Sequence, residues 1–279
     1  MDLTPERSKN PELRAVAVDI LAQIDQELET NDRERPARDY LGGSRLGVEC
    51  DRQLGYEYTN TVKDPGRDFN AKTLRIFRFG DAIEVLMVNW LRSAGFDIIT
   101  NKPNGGQIGF ATAPHPETGA MRLRGHIDGV VIGGPEHVKM AYPALLEIKS
   151  MNDKNFKKVV EGGIKKTKPE YYAQVQVYMA YLELFENPCL HITMNKNDSE
   201  IHAELMPFDA GAAQEASDKG LRVIEARAAE ELPRIATKST DWRCRFCDYA
   251  ERCWSTTAPH TAAPAPEKPV WLTGGPNPP

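Results

Sequence analysis

The chain has 279 residues, of which 41% are hydrophobic and 27% are charged, and its formal net charge is −5. No apolar run approaches the roughly 20 residues that a membrane-spanning helix needs, and the opening residues contain no apolar signal region. We therefore expect a soluble protein of the cytoplasm that does not act at a membrane, with its five cysteines present as thiols or metal ligands. The negative net charge argues against a surface that binds polyanions everywhere.

The hydrophobic pattern predicts an α/β fold. An amphipathic helix is predicted over residues 11–29 and a second long helix over residues 72–94. Four strands follow, separated by Gly, Pro and Asn turns: FDIIT, QIGFATA, MRLRGHIDGVVIG and ALLEIKS. A helix then begins at Pro169, the strands CLHITMN and IHAELMPF come next, and Asp209 caps a last helix that is predicted to run to about Glu231.

The predicted organisation has three parts. Residues 1–43 form an N-terminal helical segment, residues 44–254 form the main domain, and residues 255–279 form a tail. Seven of the 23 residues from Thr257 onward are proline, so we expect the tail to be disordered, without packed elements. Its one apolar stretch, VWL at 270–272, is either part of a disordered end or a peptide that docks on a partner.

The predicted strand LLEIKS carries an acid and a base on one face. Side chains alternate along a strand, so Glu147 and Lys149 point one way while Leu146 and Ile148 point the other. A strand with one solvated face would give the same pattern. The neighbouring residues must therefore decide between a solvated face and a functional site.

Further polar residues join this pattern. If RGHIDGVV is a strand, His126 and Asp128 share one of its faces, beside the acid and base of the neighbouring strand. Glu84 lies on the face of its helix that is predicted to pack inward, and a buried carboxylate needs a cation or several donors. The residues that define this face are Phe77, Gly80, Glu84, Val88 and Leu91. Clustered carboxylates suit Mg²⁺ or Mn²⁺, and such a metal lowers the pKa of its bound water.

A run of basic residues follows the LLEIKS strand. The six lysines of this run, which contains a single acid, are Lys154, Lys157, Lys158, Lys165, Lys166 and Lys168. Alone, the run is typical of a solvated helix and loop. Beside a metal site, it predicts a rim that binds DNA phosphates.

The order of these residues resembles the PD-(D/E)XK nuclease superfamily, and within it the RecB-like branch. The residues that match its motifs are, in chain order, Gly80 and Glu84, Asp128, Glu147 and Lys149, and the trailing pair Gln174 and Tyr178. Many RecB relatives have a histidine at the position of Glu84, although glutamate is also found there. The resemblance covers about residues 44–254. It implies a restriction-endonuclease-like core, in which a central mixed sheet is flanked by helices.

The resemblance also implies roles for these residues. The implied metal ligands are Glu84, Asp128, Glu147 and the Ile148 carbonyl. Lys149 would position the nucleophilic water, and Gln174 and Tyr178 would hold substrate or brace the site. His126 is either a further site residue or a hydrogen-bonded structural histidine.

Four cysteines flank the predicted core. Cys244, Cys247 and Cys253 have the spacing C-x2-C-x5-C, and Cys50 lies far earlier in the chain. A zinc knuckle normally takes its ligands from one local stretch, whereas iron-sulfur clusters tolerate uneven spacing. One cysteine before the core and three after it is also the pattern of the iron-sulfur RecB-like nucleases. The resemblance therefore implies a [4Fe-4S] cluster that clasps the N- and C-terminal segments, with Zn²⁺ as the alternative, while Cys189 is expected to be a buried core thiol.

The sequence contains no G-x-x-x-x-G-K-[ST] motif, which favours a free-standing enzyme over a motor fusion. The resemblance implies a Mg²⁺- or Mn²⁺-dependent deoxyribonuclease, an exonuclease on single-stranded DNA ends with some endonuclease activity. It would act in recombination, repair or CRISPR spacer processing, with recombination or CRISPR adaptation proteins as partners, as phage-encoded or CRISPR-associated exonucleases do. Two alternatives remain open. One is a nuclease-fold subunit that binds DNA or a recombination partner with secondary or no cutting activity, and the other is a zinc-stapled interaction protein.

Overall fold

The computed structural model describes residues 11–255, so almost all of the predicted proline-rich tail, including VWL, lies outside the described residues. Eight helices are described: α1 Pro11–Arg33, α2 Asp51–Tyr58, α3 Ala71–Ser93, α4 Asp153–Thr167, α5 Pro169–Tyr181, α6 Ala210–Glu225, α7 Trp242–Arg245 and α8 Ala250–Ser255. Two short 3-10 helices cover Gly43–Arg45 and Ala229–Glu231. The strands of the same region are β1 Leu41–Gly42, β2 Asp97–Ile99, β3 Gly109–Pro114, β4 Met121–His126, β5 Gly129–Gly133, β6 Ala144–Met151, β7 Cys189–Asn195 and β8 Ile201–Met206.

The strands form two sheets. The larger sheet has the order β2-β5-β6-β7-β8, and the smaller has the order β1-β4-β3. In the larger sheet β6 and β7 run parallel while the other neighbours run antiparallel, so the sheet is mixed. This arrangement confirms the predicted α/β architecture of a mixed sheet flanked by helices.

Alternation along β6 separates two apolar layers. Leu146 and Ile148 join Ile83 and Val88 of α3 in a buried cluster on one face of the larger sheet. Leu145 belongs instead to the cluster on the other face, with buried residues of α4 and α5. The side chains of Glu147 and Lys149 therefore project from the face of the sheet that is covered by α4 and α5.

The stretch RGHIDGVV is not the single strand that the sequence predicts. β4 ends at His126 in the smaller sheet, and β5 begins at Gly129 in the larger sheet. Ile127 and Asp128 carry the chain from one sheet to the other. The apolar alternation is continuous across this break, because both sheets bury one face, so hydrophobic pattern alone did not reveal it.

Several boundaries differ from the prediction. α6 ends at Glu225 instead of near residue 231, because Ala226 adopts an extended conformation. The predicted cap is confirmed, since Asp209 Oδ1 accepts a hydrogen bond from the Ala212 amide at 3.1 Å. Leu41 in β1 pairs with Leu123 in β4, so the smaller sheet includes residues just before position 44.

No helix within residues 11–255 has both the length and the apolar composition needed to cross a membrane.

Candidate active site

The divergence of β5 from β6 places Asp128. The two strands pair only as far as Leu146 on β6, so the next backbone groups on that edge have no strand partner from β5. Asp128 Oδ2 takes this place by accepting a hydrogen bond from the Ile148 amide at 2.6 Å. Since the N–H and C=O of one strand residue point to the same side, the Ile148 carbonyl borders the same opening.

Glu147 is held by two donors at one of its oxygens and by none at the other. The side chain is 1% exposed. Its Oε1 accepts from Gln174 Nε2 at 2.6 Å and from Lys149 Nζ. Its Oε2 is buried without a hydrogen-bond partner among the described residues. A buried carboxylate oxygen without a donor is costly, and a bound cation would satisfy it.

Burial raises the pKa of all three acids of the site, and neighbouring acids add to the rise at Glu147 and Glu84. Burial raises the pKa of Glu147 to about 8, and Asp128 and Glu84 add to this against the opposing charge of Lys149. The pKa of Glu84 rises to about 7, first through burial and then through Asp128. Burial also raises the pKa of Asp128, against Lys149 and the Ile148 amide. The repulsion among these acids is the electrostatic setting in which a divalent cation stabilises a site.

Lys149 keeps its charge within this site. Burial disfavours the ammonium form, but Glu147 and Asp128 outweigh burial and raise the pKa of Lys149. The ring of Tyr171 lies 5.5 Å from Lys149 Nζ. The lysine is therefore a fixed positive charge between two acids and an aromatic face.

The residues fit a divalent cation by their chemistry. No three His, Cys, Asp or Glu side chains within residues 11–255 are already arranged as metal ligands. The orphaned Glu147 Oε2 and the repulsion that neighbouring acids exert on Glu147 and Glu84 nevertheless fit such an ion. A cavity of about 420 Å³ lies beside it, lined by Glu84, Asp128 and polar residues that include Asn89, Arg92 and Gln107.

Gln174 and Tyr178, the trailing motif pair, lie on α5 and differ in their contacts. Gln174 contacts Glu147 directly. Tyr178 is buried, and a Cβ added at Gly43 or at Gly125 would come 2.8 Å from its Cε1 atom. This close packing favours bracing over substrate contact as the role of Tyr178.

His126 lies apart from the pattern that suggested it. It is exposed at the end of β4, opposite Gly109 of β3. The alternation that was predicted to pair it with Asp128 does not hold, because the strand is broken between them. Its role as a metal ligand stays a prediction, without support from strand phase.

The six lysines fall on α4 and the residue after it. Three of them are in ion pairs: Lys157 with Asp153 at 2.9 Å, Lys165 with Asp209 at 2.9 Å, and Lys168 with Glu170 at 3.7 Å. The other three, Lys154, Lys158 and Lys166, are exposed and have no ion pair among the described residues. The basic run is therefore partly neutralised.

Two residues near the site were missed from sequence. Tyr171 precedes Gln174 by three positions, so helical spacing could have placed it beside the motif. His191 is the register partner of Glu147 on β7, is fully buried, and has a pKa lowered to about 3 by burial and by Lys149. No local signal marks His191, because its position depends on strand pairing.

The four predicted cluster cysteines come together although they are remote in sequence. Cys50, Cys244, Cys247 and Cys253 line one cavity of about 20 Å³. Burial raises the pKa of Cys50, and burial followed by Cys50 and Cys253 raises the pKa of Cys247 to about 11. The thiols of Cys50 and Cys247 therefore stay protonated unless a metal takes them as thiolates. The four thiols are not already arranged as metal ligands in the described residues. Their chemistry and their shared cavity nevertheless fit a metal ion or cluster.

Two buried contacts hold this region together. Arg52 on α2 donates to the carbonyls of Leu232 and Glu230, each at 2.7 Å. The Asp64 carboxylate accepts from the amides of Glu251 at 2.6 Å and Arg252 at 3.2 Å. The N- and C-terminal parts of the described chain are thus clasped by protein contacts beside the cysteines.

Asp128, Glu147 and Lys149, the residues of the predicted motifs, come together where β5 and β6 diverge. Residues 111–183 match the family described as the YqaJ-like viral recombinase domain, and this match confirms the predicted relationship to the PD-(D/E)XK superfamily. The matched stretch contains Asp128, Glu147, Lys149, Gln174 and Tyr178. It contains neither Glu84 nor the four clustered cysteines.

More distant similarities come from solved structures. The crystal structure of SSO0001 has a TM-score of 0.48 at 13% identity, covering 87% of this chain and 98% of the other. The alkaline exonuclease LHK-Exo from Laribacter hongkongensis has a TM-score of 0.41 at 16% identity, covering 71% and 90%. LHK-Exo in complex with dAMP has a TM-score of 0.42 at 18% identity, covering 66% and 86%. No curated protein sequence matches this chain.

Proposed function

We propose that this protein is a divalent-metal-dependent deoxyribonuclease that acts as an exonuclease on DNA ends with single-stranded character. The observation that carries the proposal is the buried Glu147, with one oxygen held by Gln174 and Lys149 and the other without a partner. The match to a viral recombinase domain supports a role in recombination among the predicted settings.

The residues that would hold the metal are Glu84, Asp128, Glu147 and the Ile148 carbonyl, and a bound Mg²⁺ or Mn²⁺ would act as a Lewis acid towards water and phosphate. Gln174 fixes Glu147 through Oε1, and Oε2, which has no hydrogen-bond partner among the described residues, would be available to the cation. The Ile148 amide orients Asp128 through Oδ2. The chain thus fixes the orientation of two acids before any ion arrives.

Lys149 would act on the reacting groups. Its ammonium stays charged between Glu147 and Asp128, so it can orient the attacking water and neutralise charge that develops on the phosphate. Water would attack phosphorus and lose a proton to solvent, the bond from phosphorus to the leaving sugar oxygen would break, and that oxygen would take a proton from solvent. The exposed lysines of α4 would bind phosphates farther along the strand.

We also propose that Cys50, Cys244, Cys247 and Cys253 hold a [4Fe-4S] cluster, with Zn²⁺ as the alternative. The support is that thiols from both ends of the domain line one cavity. Such a group would staple α2 to the C-terminal segment.

A digestion with separately labelled 5′ and 3′ ends tests the proposed activity. With Mg²⁺ or Mn²⁺, mononucleotides should be released from one labelled end, and chelator should stop the reaction. Binding of DNA without hydrolysis under any divalent metal would favour the alternative of a DNA-binding subunit. Intact Glu84, Asp128, Glu147 and Lys149 argue against that alternative.

A further inference from the structure

Exposed aromatic side chains form a strip between the candidate active site and the four-cysteine region. Phe77 is 47% exposed, Phe69 is 39% exposed and Phe246 is 77% exposed. Single exposed apolar residues are common, but a contiguous set marks a binding surface. The contacts that join these three rings decide whether they form one set.

The strip begins beside the candidate active site. Phe77, Gly80 and Glu84 share one stripe of α3, and Phe77 precedes Glu84 by about 10 Å along the helix axis. Gly80 packs close to β6, since a Cβ on it would come 3.6 Å from Ser150 Oγ, next to Lys149. Along this stripe, Glu84 lies beside the other acids of the site, Gly80 lies against the end of β6, and Phe77 is exposed to solvent.

Phe69 extends the strip away from α3. Its ring packs edge-on against Phe77, with centroids 5.1 Å apart and planes at 89°. Lys63 Nζ lies 3.7 Å from the centre of the Phe69 ring. Two exposed aromatic rings and one half-buried cation are thus in contact.

The same segment reaches the four-cysteine region. Lys63 pairs with Asp248 at 2.9 Å, and Arg67 Nη2 donates to the Arg245 carbonyl at 3.2 Å. Phe246 follows directly in the chain. Contacts therefore link Phe77, through Phe69 and Lys63, to the segment 245–248, on which the side chains of Arg245 and Phe246 are exposed.

We infer that this strip is the path of single-stranded DNA as it enters or leaves the active site, an inference that rests on the proposed nuclease function. Bases would stack on Phe77, Phe69 and Phe246, and phosphates would meet Arg67 and Arg245. Exposed rings interleaved with cations are the usual means of binding single strands. A duplex has its base faces occupied by its own stacking, so the strip selects the unpaired strand.

The test uses the full chain carrying Glu147→Gln to block cutting, and a fluorescein-labelled 20-residue oligothymidylate. Phe77→Ala and Phe246→Ala should each weaken binding, measured by anisotropy, by about 5- to 150-fold, as expected when a stacking ring is removed. Phe77→Tyr should retain binding, and Phe77→Leu should lose it. The matched control is Phe79→Ala, which removes a ring that is 52% exposed on the opposite side of α3 and should leave affinity unchanged.

Equal affinity in the Phe77→Ala, Phe246→Ala and parent proteins would overturn the inference. Full binding of the oligothymidylate by Phe77→Leu would also overturn the inference. It would show that this position needs apolar bulk and not an aromatic face on which a base can stack. A second assay separates this outcome from failure of the nuclease proposal. With Glu147 intact, the parental chain and the off-strip control Phe79→Ala should hydrolyse the oligothymidylate at the same rate in Mn²⁺. Failure of the parental chain to hydrolyse any oligonucleotide would count against the nuclease function itself.

Discussion

Gln174 Nε2 donates to Glu147 Oε1 over 2.6 Å, in a buried contact between α5 and β6. The bond fixes the carboxylate and leaves its other oxygen, Oε2, without a partner in the described part of the chain. Under the proposed function, Gln174 of the trailing Gln-x-x-x-Tyr motif would therefore act through the carboxylate that precedes it in sequence. This relationship links the motif to metal binding without requiring that Gln174 touch DNA.

Replacing Gln174 should weaken metal binding more than folding. Gln174→Leu should raise the Mn²⁺ concentration needed for half-maximal activity by about 10- to 100-fold, since the supports of metal ligands contribute at that level. The control is Gln176→Leu on the same helix. Gln176 bonds the Pro207 carbonyl and the Asp209 amide, so this change should lower thermal stability with the metal requirement unchanged. Equal metal requirements in both variants would contradict the assigned role of Gln174.

Lys149 should be essential for cutting and dispensable for DNA binding. Lys149→Met removes the fixed charge between Glu147 and Asp128, and cleavage should fall by at least about 100-fold, as when a preorganised electrostatic donor is lost. Oligonucleotide affinity should change little, because the proposed DNA contacts lie at the exposed lysines of α4 and along the aromatic strip. The measurement is single-turnover cleavage at saturating enzyme. Retention of the parental rate would remove Lys149 from the catalytic set.

The lysines of α4 should differ in their contribution to DNA binding, according to whether they are in ion pairs. Changing Lys154, Lys158 and Lys166 to Gln should weaken DNA binding and flatten its dependence on salt, because ammonium groups without an acidic partner can release counterions from phosphates. Changing the paired Lys157 and Lys165 should have a smaller effect on the slope. The measurement is the binding constant over a salt series. Identical slopes for all variants would show that the run is an ordinary solvated surface.

The four clustered cysteines should stabilise the domain by linking α2 to the C-terminal segment through a bound cluster or metal. Protein prepared without oxygen should be brown, and Cys50→Ser should bleach the colour and lower thermal stability. Cys189→Ser is the control, because Cys189 is buried in β7 away from the others and should keep the colour. A colourless protein that contains zinc would exclude the iron-sulfur cluster but not the staple. A Cys50 variant that stays brown and equally stable would exclude both.

The sequence predicted elements and motif order better than it predicted their relative positions. Local spacing sufficed for α3, for the Asp209 cap and for the pairing of Glu147 with Lys149 on one strand face. It failed at Ile127 and Asp128, where the chain changes sheet, because an apolar alternation is the same in either sheet. That break is nevertheless what brings the Asp128 carboxylate to the Ile148 amide.

Long-range contacts account for the other differences. Phe77 was predicted to pack inward with Glu84, yet it is 47% exposed, because the helix stripe extends past the end of β6 into solvent. His191 was missed because only the pairing of β6 with β7 sets it beside Glu147. Lys165 pairs with Asp209, 44 positions later in the chain, and sequence alone did not show this contact. The ion pair of Lys157 with Asp153 is local, because the two residues lie four positions apart on α4.

The central claim is that the carboxylates around Glu147 hold a divalent cation that drives hydrolysis of DNA. Its most direct test is isothermal titration of Mn²⁺ into the intact chain and into Glu147→Gln, paired with end-labelled digestion of the same samples. The intact chain should bind Mn²⁺ and release mononucleotides, while Glu147→Gln should lose both properties and keep its melting temperature in chelator. Equal Mn²⁺ binding and equal digestion by the two proteins would contradict the account.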